Sequence, residues 1–355
     1  MPQKKTIKLK YVITIPSVDF LNYAAINDLI LLGSKDRRYQ DLKEHNTVLK
    51  QYLDSFRTPF GKKVNPSIIV RDESLENVEP SHLCAFRNAI AISSVISSRI
   101  LSYNQTNTGF YCSDLFDFYP VSVSSDGTDL IARTAFEDSI CCDVNIFSGQ
   151  TTSSVIHPEN IEPAIDDKLM LVLLDVIEKK ARTLEEKRFK NRVTQTMEMV
   201  FYALRSPFVV FGEPTDFGVQ MSLWVSAFEI LANPHSTDVK FSDVSAIIKA
   251  VPWRDKKLRI RNHASPTRQG EKTSLPVQIY GRLYRTRNAY IHGNVMRKGE
   301  YEFHKRKGWG NLFFQVPALY RCVLMHILNL QGIGSLIQNT QEHDLYEKVL
   351  LSKEQ

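Results

Sequence analysis

The chain has 355 residues, 43% hydrophobic and 24% charged, with a formal net charge of +6. That length exceeds what one core usually takes, so two domains are expected, and the composition is that of a soluble globular protein. The mild basic excess permits an acidic partner without requiring one, and no apolar run approaches the ~18 residues of a transmembrane helix, so no membrane partner is expected.

The first twenty residues are basic and then apolar. Their apolar part is short, is broken by Pro16 and Asp19, and lacks a small-residue cleavage site, so no signal peptide is expected. KYVITIP is a short β-branched strand. DLILLG reads as a strand or a buried helical turn, and SIIVRDES as a strand ending in polar turn chemistry. Glu79–Pro80–Ser81 is a helix-start signal, followed by apolar residues at helical spacing. DFYPVSVSSDGTDLIARTAF reads as two strands joined around Ser125–Asp126–Gly127. HPENIEPAIDDK carries two prolines and many acids, and places a domain boundary near Pro163.

The chain then changes character. Residues 164–206 read as one or two long helices. TDFGVQMSLWVSAFEILAN predicts an amphipathic helix in which Phe217, Met221, Trp224, Val225, Phe228 and Leu231 share one stripe, ended by Asn233–Pro234. LPVQIYGRLYRTRNAYIHG predicts another, with Pro276 near its start and Gly293 past its end. VPALYRCVLMHILNLQG predicts a third, again from proline to glycine. The expected fold is a mixed α+β domain over residues 1–162, followed over residues 163–355 by an all-α bundle of four or five helices. The cysteines, Cys84, Cys112, Cys141, Cys142 and Cys322, are few, odd in number and without metal-ligand spacing. Reduced thiols in a cytosolic protein are expected, with the Cys141–Cys142 pair serving packing.

One short stretch carries chemistry: RTRNAYIHGN, Arg285 to Asn294. Helical residues three, four and seven apart share a face, which groups Arg285, Asn288 and His292. The Asn288 amide is four residues before His292 and can orient its imidazole. Arg287, five residues before, points about 140° away on a straight helix. It meets the same substrate only if the helix unwinds at Gly293 or a second subunit brings its own copy alongside. Imidazole exchanges protons near neutral pH, and guanidinium holds a phosphate and stabilises extra negative charge. RNA carries its own nucleophile, the 2′-OH, so no metal is needed, and no carboxylate or His/Cys cluster with metal-ligand spacing is present. An Arg-x4-6-His spacing is weak alone, and the chain holds others. Arg321 and His326 lie on an apolar helix and are read as structural. Arg297 and His304 lie in a charged loop and are read as solvated surface.

Arg287–Asn288, three residues, then His292–Gly293 resembles the motif of the HEPN superfamily, and the WVSAFEILANP helix with Glu229 resembles the helix preceding that motif in the ApeA-like branch. The resemblance covers about residues 200–335, and the N-terminal half resembles no family. It implies an all-helical domain that pairs so that two motifs face each other, and a metal-independent endoribonuclease of the toxin, abortive-infection or antiviral-defence kind, acting without a cofactor. It implies that Arg287 holds the scissile phosphate, that His292 is the acid/base, that Asn288 orients the histidine, and that Glu229 neighbours Arg287, with Arg285 as the alternative arginine. The implied partners are RNA, a second copy of the chain through the helical domain, and an antitoxin or regulatory protein. The rivals are a non-catalytic HEPN dimerisation module and an RNA-binding regulator.

A further segment suits RNA. WRDKKLRIRNHASPTRQGEK carries Arg254, Lys256, Lys257, Arg259, Arg261 and Arg268, with Trp253 and His263 among them. Cations track phosphates and an aromatic ring stacks on a base. The same run also reads as a solvated loop between helices.

Overall fold

Alternation of β-branched and polar residues makes Leu9–Ile15 the first strand, β1, of an antiparallel sheet. The structure is a computed structural model, and it describes residues 9–21, 24–72, 78–104, 112–124, 128–133, 138–141, 165–206, 214–233, 238–265, 269–294, 312–333 and 341–351. It divides into one unit of Met1–Ile90 with Tyr111–Ala164, and another of Ala91–Phe110 with Ile165–Gln355.

In the first unit, β1 joins β2 (Ala24–Ala25), β3 (Leu29–Leu32) and β4 (Ser67–Asp72) in the order β1-β4-β3-β2. Thr14 lies opposite Ile68, and Leu31 opposite Ile69. The first four residues of β4 are all buried, so both of its faces are covered there. DLILLG thus resolves as strand. Helices α1 (Arg37–His45) and α2 (Thr47–Ser55) were not evident in the sequence pattern. Asn46 separates them, and its side chain caps α2 by accepting from the Leu49 amide. Leu32, Tyr39, Leu49, Leu53, Ile68 and Val121 centre the core. A second sheet runs β5 (Val121–Val123), β6 (Leu130–Arg133) and β7 (Asp138–Cys141), all antiparallel. The first two are the expected hairpin. The third is unpredicted, and the Ser125–Gly127 turn lies outside the described residues.

Helix α3, Pro80–Asn104, crosses from one unit to the other. The sequence places a division at residue 162/163; in the structure the helical unit also takes in residues 91–104 of α3. The reason is burial: Ile92, Val95, Ile96 and Ile100 are core residues, and buried Arg99 donates to the Leu204 carbonyl at 2.9 Å with the Phe313 ring 4.1 Å from its guanidinium. Pro163 and Cys142 fall outside the described residues.

The second unit continues with α4 (Asp167–Glu178), α5 (Leu184–Ala203), α6 (Pro214–Ala232), α7 (Phe241–Ala250), α8 (Lys256–Arg259), β8 (His263–Ala264), β9 (Lys272–Thr273), α9 (Leu275–Ile291), α10 (Leu312–Leu330) and α11 (Gln341–Leu351). It is mostly helical, with more helices than the four or five expected and a two-stranded ribbon, β8–β9, that an all-α reading did not include. The long helices show their periodicity in sequence, whereas α7, α8 and α11 are too short to do so. Residues 165–206 hold two helices, and a Thr183–Glu186 capping box starts the second. On α6, Met221, Trp224, Val225, Phe228 and Leu231 are buried.

Helix α10 begins at Leu312, and Pro317 lies inside it rather than at its start. The proline is near enough to the N-terminus that little of the helical ladder is lost. By length and composition α10 could cross a membrane, contrary to the expectation from sequence, and most of it is buried in the unit. Its Arg321, 1% exposed, donates through Nε to Asp166 at 2.9 Å, and the Tyr346 hydroxyl donates to the same carboxylate at 2.8 Å. Burial pushes the Asp166 carboxyl up, but Arg321, the Leu169 amide and Tyr346 together bring it below the ordinary carboxylate value. Arg321 is thus a buried ion-pair partner, as the apolar helix around it suggested. His326 has a buried Nε2 with no hydrogen-bond partner, and burial lowers its pKa. Among the described residues Cys84, Cys112 and Cys322 form no disulfide.

Candidate active site on helix α9

Tyr280, Leu283, Tyr284 and Arg287 recur at helical spacing and share the face of α9 packed on α6. Tyr280 and Leu283 are buried, and Arg287 lies on that face one turn before Tyr290. Its Nη2 donates to Glu229 Oε1 at 2.7 Å, with the side chains 20% and 26% exposed. The Tyr284 ring lies 4.8 Å from the guanidinium carbon. The guanidinium is therefore held between a carboxylate and an aromatic face, which fixes its plane. Its Nε is buried without a partner, as is the Tyr280 hydroxyl. Each such orphaned group costs about 1–3 kcal/mol, so a group that supplied a partner here would recover that cost. Burial raises the Glu229 carboxyl above its ordinary range, and Arg287 opposes that shift without cancelling it. The Tyr280 phenol is pushed far up by burial, with Glu229 adding to the effect.

Glycine sets the helix contact. A Cβ at Gly218 of α6 would stand 2.1 Å from the Tyr290 ring, so the ring rests on bare backbone there. Tyr290 lies two residues before His292, and this contact fixes the end of the motif helix. The helix closes at His292, whose amide donates to the Asn288 carbonyl at 3.0 Å. Gly293 follows at φ +66°, with its amide bonded to Tyr290 O and that of Asn294 to Ala289 O. This is the two-bond helix ending that needs a left-handed residue, and glycine adopts it without strain.

His292 is exposed on this ending. Arg287 and His292 thus occupy different surroundings, one half-buried against α6 and one in solvent, and no hydrogen bond joins them. Asn288 does not orient the histidine through its side chain as expected. No hydrogen bond joins the two side chains, because only the backbone link between them forms. Arg285, the alternative arginine, is exposed and its Nε lies 3.4 Å from the Gly281 carbonyl, without a carboxylate partner among the described residues. Of the two arginines, Arg287 is the one joined to Glu229.

The basic run is divided in its surroundings. Trp253 is 4% exposed and donates to the Ile248 carbonyl at 3.1 Å, so it is a core residue and offers no face to a base. Glu347 accepts from the amides of Arg254 and Asp255, and Arg254 pairs with Asp344 at 3.0 Å. Lys256, Lys257 and Arg259 are exposed on or beside short α8, and Arg261 is exposed just beyond it. Arg268, Arg297 and His304 fall outside the described residues. Among the described residues no three His, Cys, Asp or Glu side chains group as a metal site.

Sequence reasoning missed Tyr280, Tyr284, Gly218 and Tyr290. The spacing of Tyr280, Tyr284 and Arg287 at i, i+4 and i+7 was a visible signal for the first two, whereas the Gly218–Tyr290 contact joins helices distant in the chain. Comparison of the chain with protein-family models, with curated proteins and with solved structures finds no match in any of the three.

Proposed function

We propose that the chain is a cytosolic, metal-independent endoribonuclease of the HEPN kind, acting as a toxin or antiviral effector. The observation that supports this most is the guanidinium of Arg287, clamped by Glu229 and Tyr284 while Nη1 makes no hydrogen bond among the described residues, on the same helix end as the exposed His292. Such a cation neutralises a phosphodiester and the charge that grows on it in the transition state. The RNA 2′-oxygen attacks phosphorus and loses its proton, the bond from phosphorus to the 5′-oxygen breaks, and that oxygen gains a proton. His292 serves one or both proton transfers. Two copies supply the geometry that one helix lacks, with Arg287 of one chain and His292 of the other on one phosphate. Ile291 and Val219, 55% and 46% exposed beside the Gly218–Tyr290 contact, suit such a pairing.

The test is incubation of the purified chain with RNA in EDTA. Cleavage leaving 2′,3′-cyclic phosphate and 5′-OH ends is expected, and strict dependence on Mg²⁺ or Mn²⁺ refutes the mechanism. The absent Asn288–His292 side-chain bond favours a second reading, a HEPN module or RNA-binding regulator that pairs or binds without cutting. RNA binding without cleavage in the same assay selects it.

A further inference from the structure

An open cleft of about 440 Å³ lies between the start of α7 and the β8–β9 ribbon. Lys240, Lys249, Arg261 and Lys272 line it, against one carboxylate, Glu271. All four cations are exposed, and among the described residues none of them forms an ion pair. Like charges left unneutralised around one concavity repel each other and focus a positive potential into it. Ser245, also on the lining, is 4% exposed, and its hydroxyl has no hydrogen-bond partner. A serine within a helix commonly returns its hydroxyl to a carbonyl one turn back, and Ser245 does not.

One wall of the cleft packs against the motif helix. Phe241, on its wall, stacks on Tyr280 at 5.4 Å between centroids and meets the edge of Tyr284 at 5.4 Å. Tyr284 carries the Arg287 guanidinium on its face. A continuous row of rings therefore runs from the cationic cleft to the Arg287–Glu229 pair.

We infer that this cleft binds the backbone phosphates of an RNA strand whose scissile phosphate lies at Arg287. Lys240, Lys249, Arg261 and Lys272 contact successive phosphates, and Ser245 gives the floor a hydroxyl donor. Phosphate is favoured because the lining offers dispersed cations and hydroxyls with little carboxylate, and a strand is favoured because the cleft is open and its wall residue Phe241 packs on Tyr284, the ring that carries the Arg287 guanidinium. The inference rests on the ribonuclease reading for the identity of the strand, but its test does not depend on cleavage.

The test is fluorescence anisotropy of the full chain with a fluorescein-labelled twelve-residue 2′-O-methyl oligouridylate, which cannot be cut through its 2′-oxygen, across a salt series. Replacing all four cations by alanine should lower the slope of log affinity against log salt by about 2.8, since each single-strand phosphate contact contributes about 0.7. Lys249→Glu with Lys272→Glu should also weaken binding, and all variants should keep the thermal midpoint. A control removes four exposed charges elsewhere, Lys179, Lys180, Lys187 and Arg188, and should bind as the parent does. No loss in the cleft variants, an equal loss in the control, or no binding by the parent chain overturns the inference. Equal competition by uridine monophosphate at matched phosphate concentration overturns the strand assignment. Cleft-dependent binding by a chain that cuts no RNA in EDTA leaves the cleft standing and refutes the ribonuclease reading alone.

Discussion

Glu229 Oε1 and Arg287 Nη2 stand 2.7 Å apart although 58 residues separate them in the chain. One sits in the last turn of α6 and the other near the end of α9, so helix packing alone creates the pair. Its energetic role is to hold a guanidinium plane, because burial disfavours the Glu229 charge and the pair is only partly shielded from water.

That role predicts coupling. Glu229→Gln should reduce RNA cleavage by loosening Arg287, and Arg287→Ala should reduce it further. The double variant should be no worse than Arg287→Ala, with a coupling of about 0.5–3 kcal/mol in transition-state stabilisation. Cleavage rates of the four proteins measure this, and additive losses contradict the clamp.

His292→Ala should lower cleavage by ~10²–10⁴ with RNA affinity little changed, the usual worth of a general acid or base. Arg287→Ala should damage both, since it removes a phosphate contact and charge stabilisation. His326→Ala should leave the chemistry intact. Single-turnover cleavage and anisotropy on each variant check the pattern, and loss confined to His326→Ala would move the site to α10.

Gly218→Ala places a methyl group where the Tyr290 ring lies, so the ring or the helix end must shift. A destabilisation of about 1–3 kcal/mol is expected, the usual cost of overpacking. Pairing it with Tyr290→Ala removes the clash, so the double variant should regain part of that loss. Chemical denaturation of the three proteins reads it directly, and an unchanged midpoint for Gly218→Ala refutes the contact.

Asp166→Asn leaves Arg321 buried without its counter-charge, which typically costs about 3–5 kcal/mol. The folded Asp166 pKa lies below its ordinary value of 3.8, so the charged carboxylate stabilises the fold above that value. This contribution is lost as pH falls through the folded pKa. The gap in thermal midpoint between parent and variant should therefore be full near neutrality and narrow on acidification below 3.8. A gap independent of pH would show that packing rather than charge is responsible.

The sequence by itself determined the elements whose patterns are long or strongly punctuated. The stripe of α6, the Pro276-to-Gly293 span of α9 and the strands at Leu9–Ile15 and Ser67–Asp72 follow from local periodicity and from residues with special backbone freedom. It also marked Arg287 and His292 by their types and spacing, and Glu229 through the resemblance of its helix. It did not reveal α1, α2, α7, α8 and α11, because helices of two or three turns carry little periodic signal. Nor did it place residues 91–104, whose affiliation depends on what covers an apolar helix all round. Only the tertiary structure decided that Trp253 is core, that Asn288 leaves His292 unbonded, and that Glu229 clamps Arg287. It alone gathered Lys240, Lys249, Arg261 and Lys272 around one cleft. Each of these depends on contacts between residues far apart in the chain, and such contacts are set by helix packing rather than by any local preference.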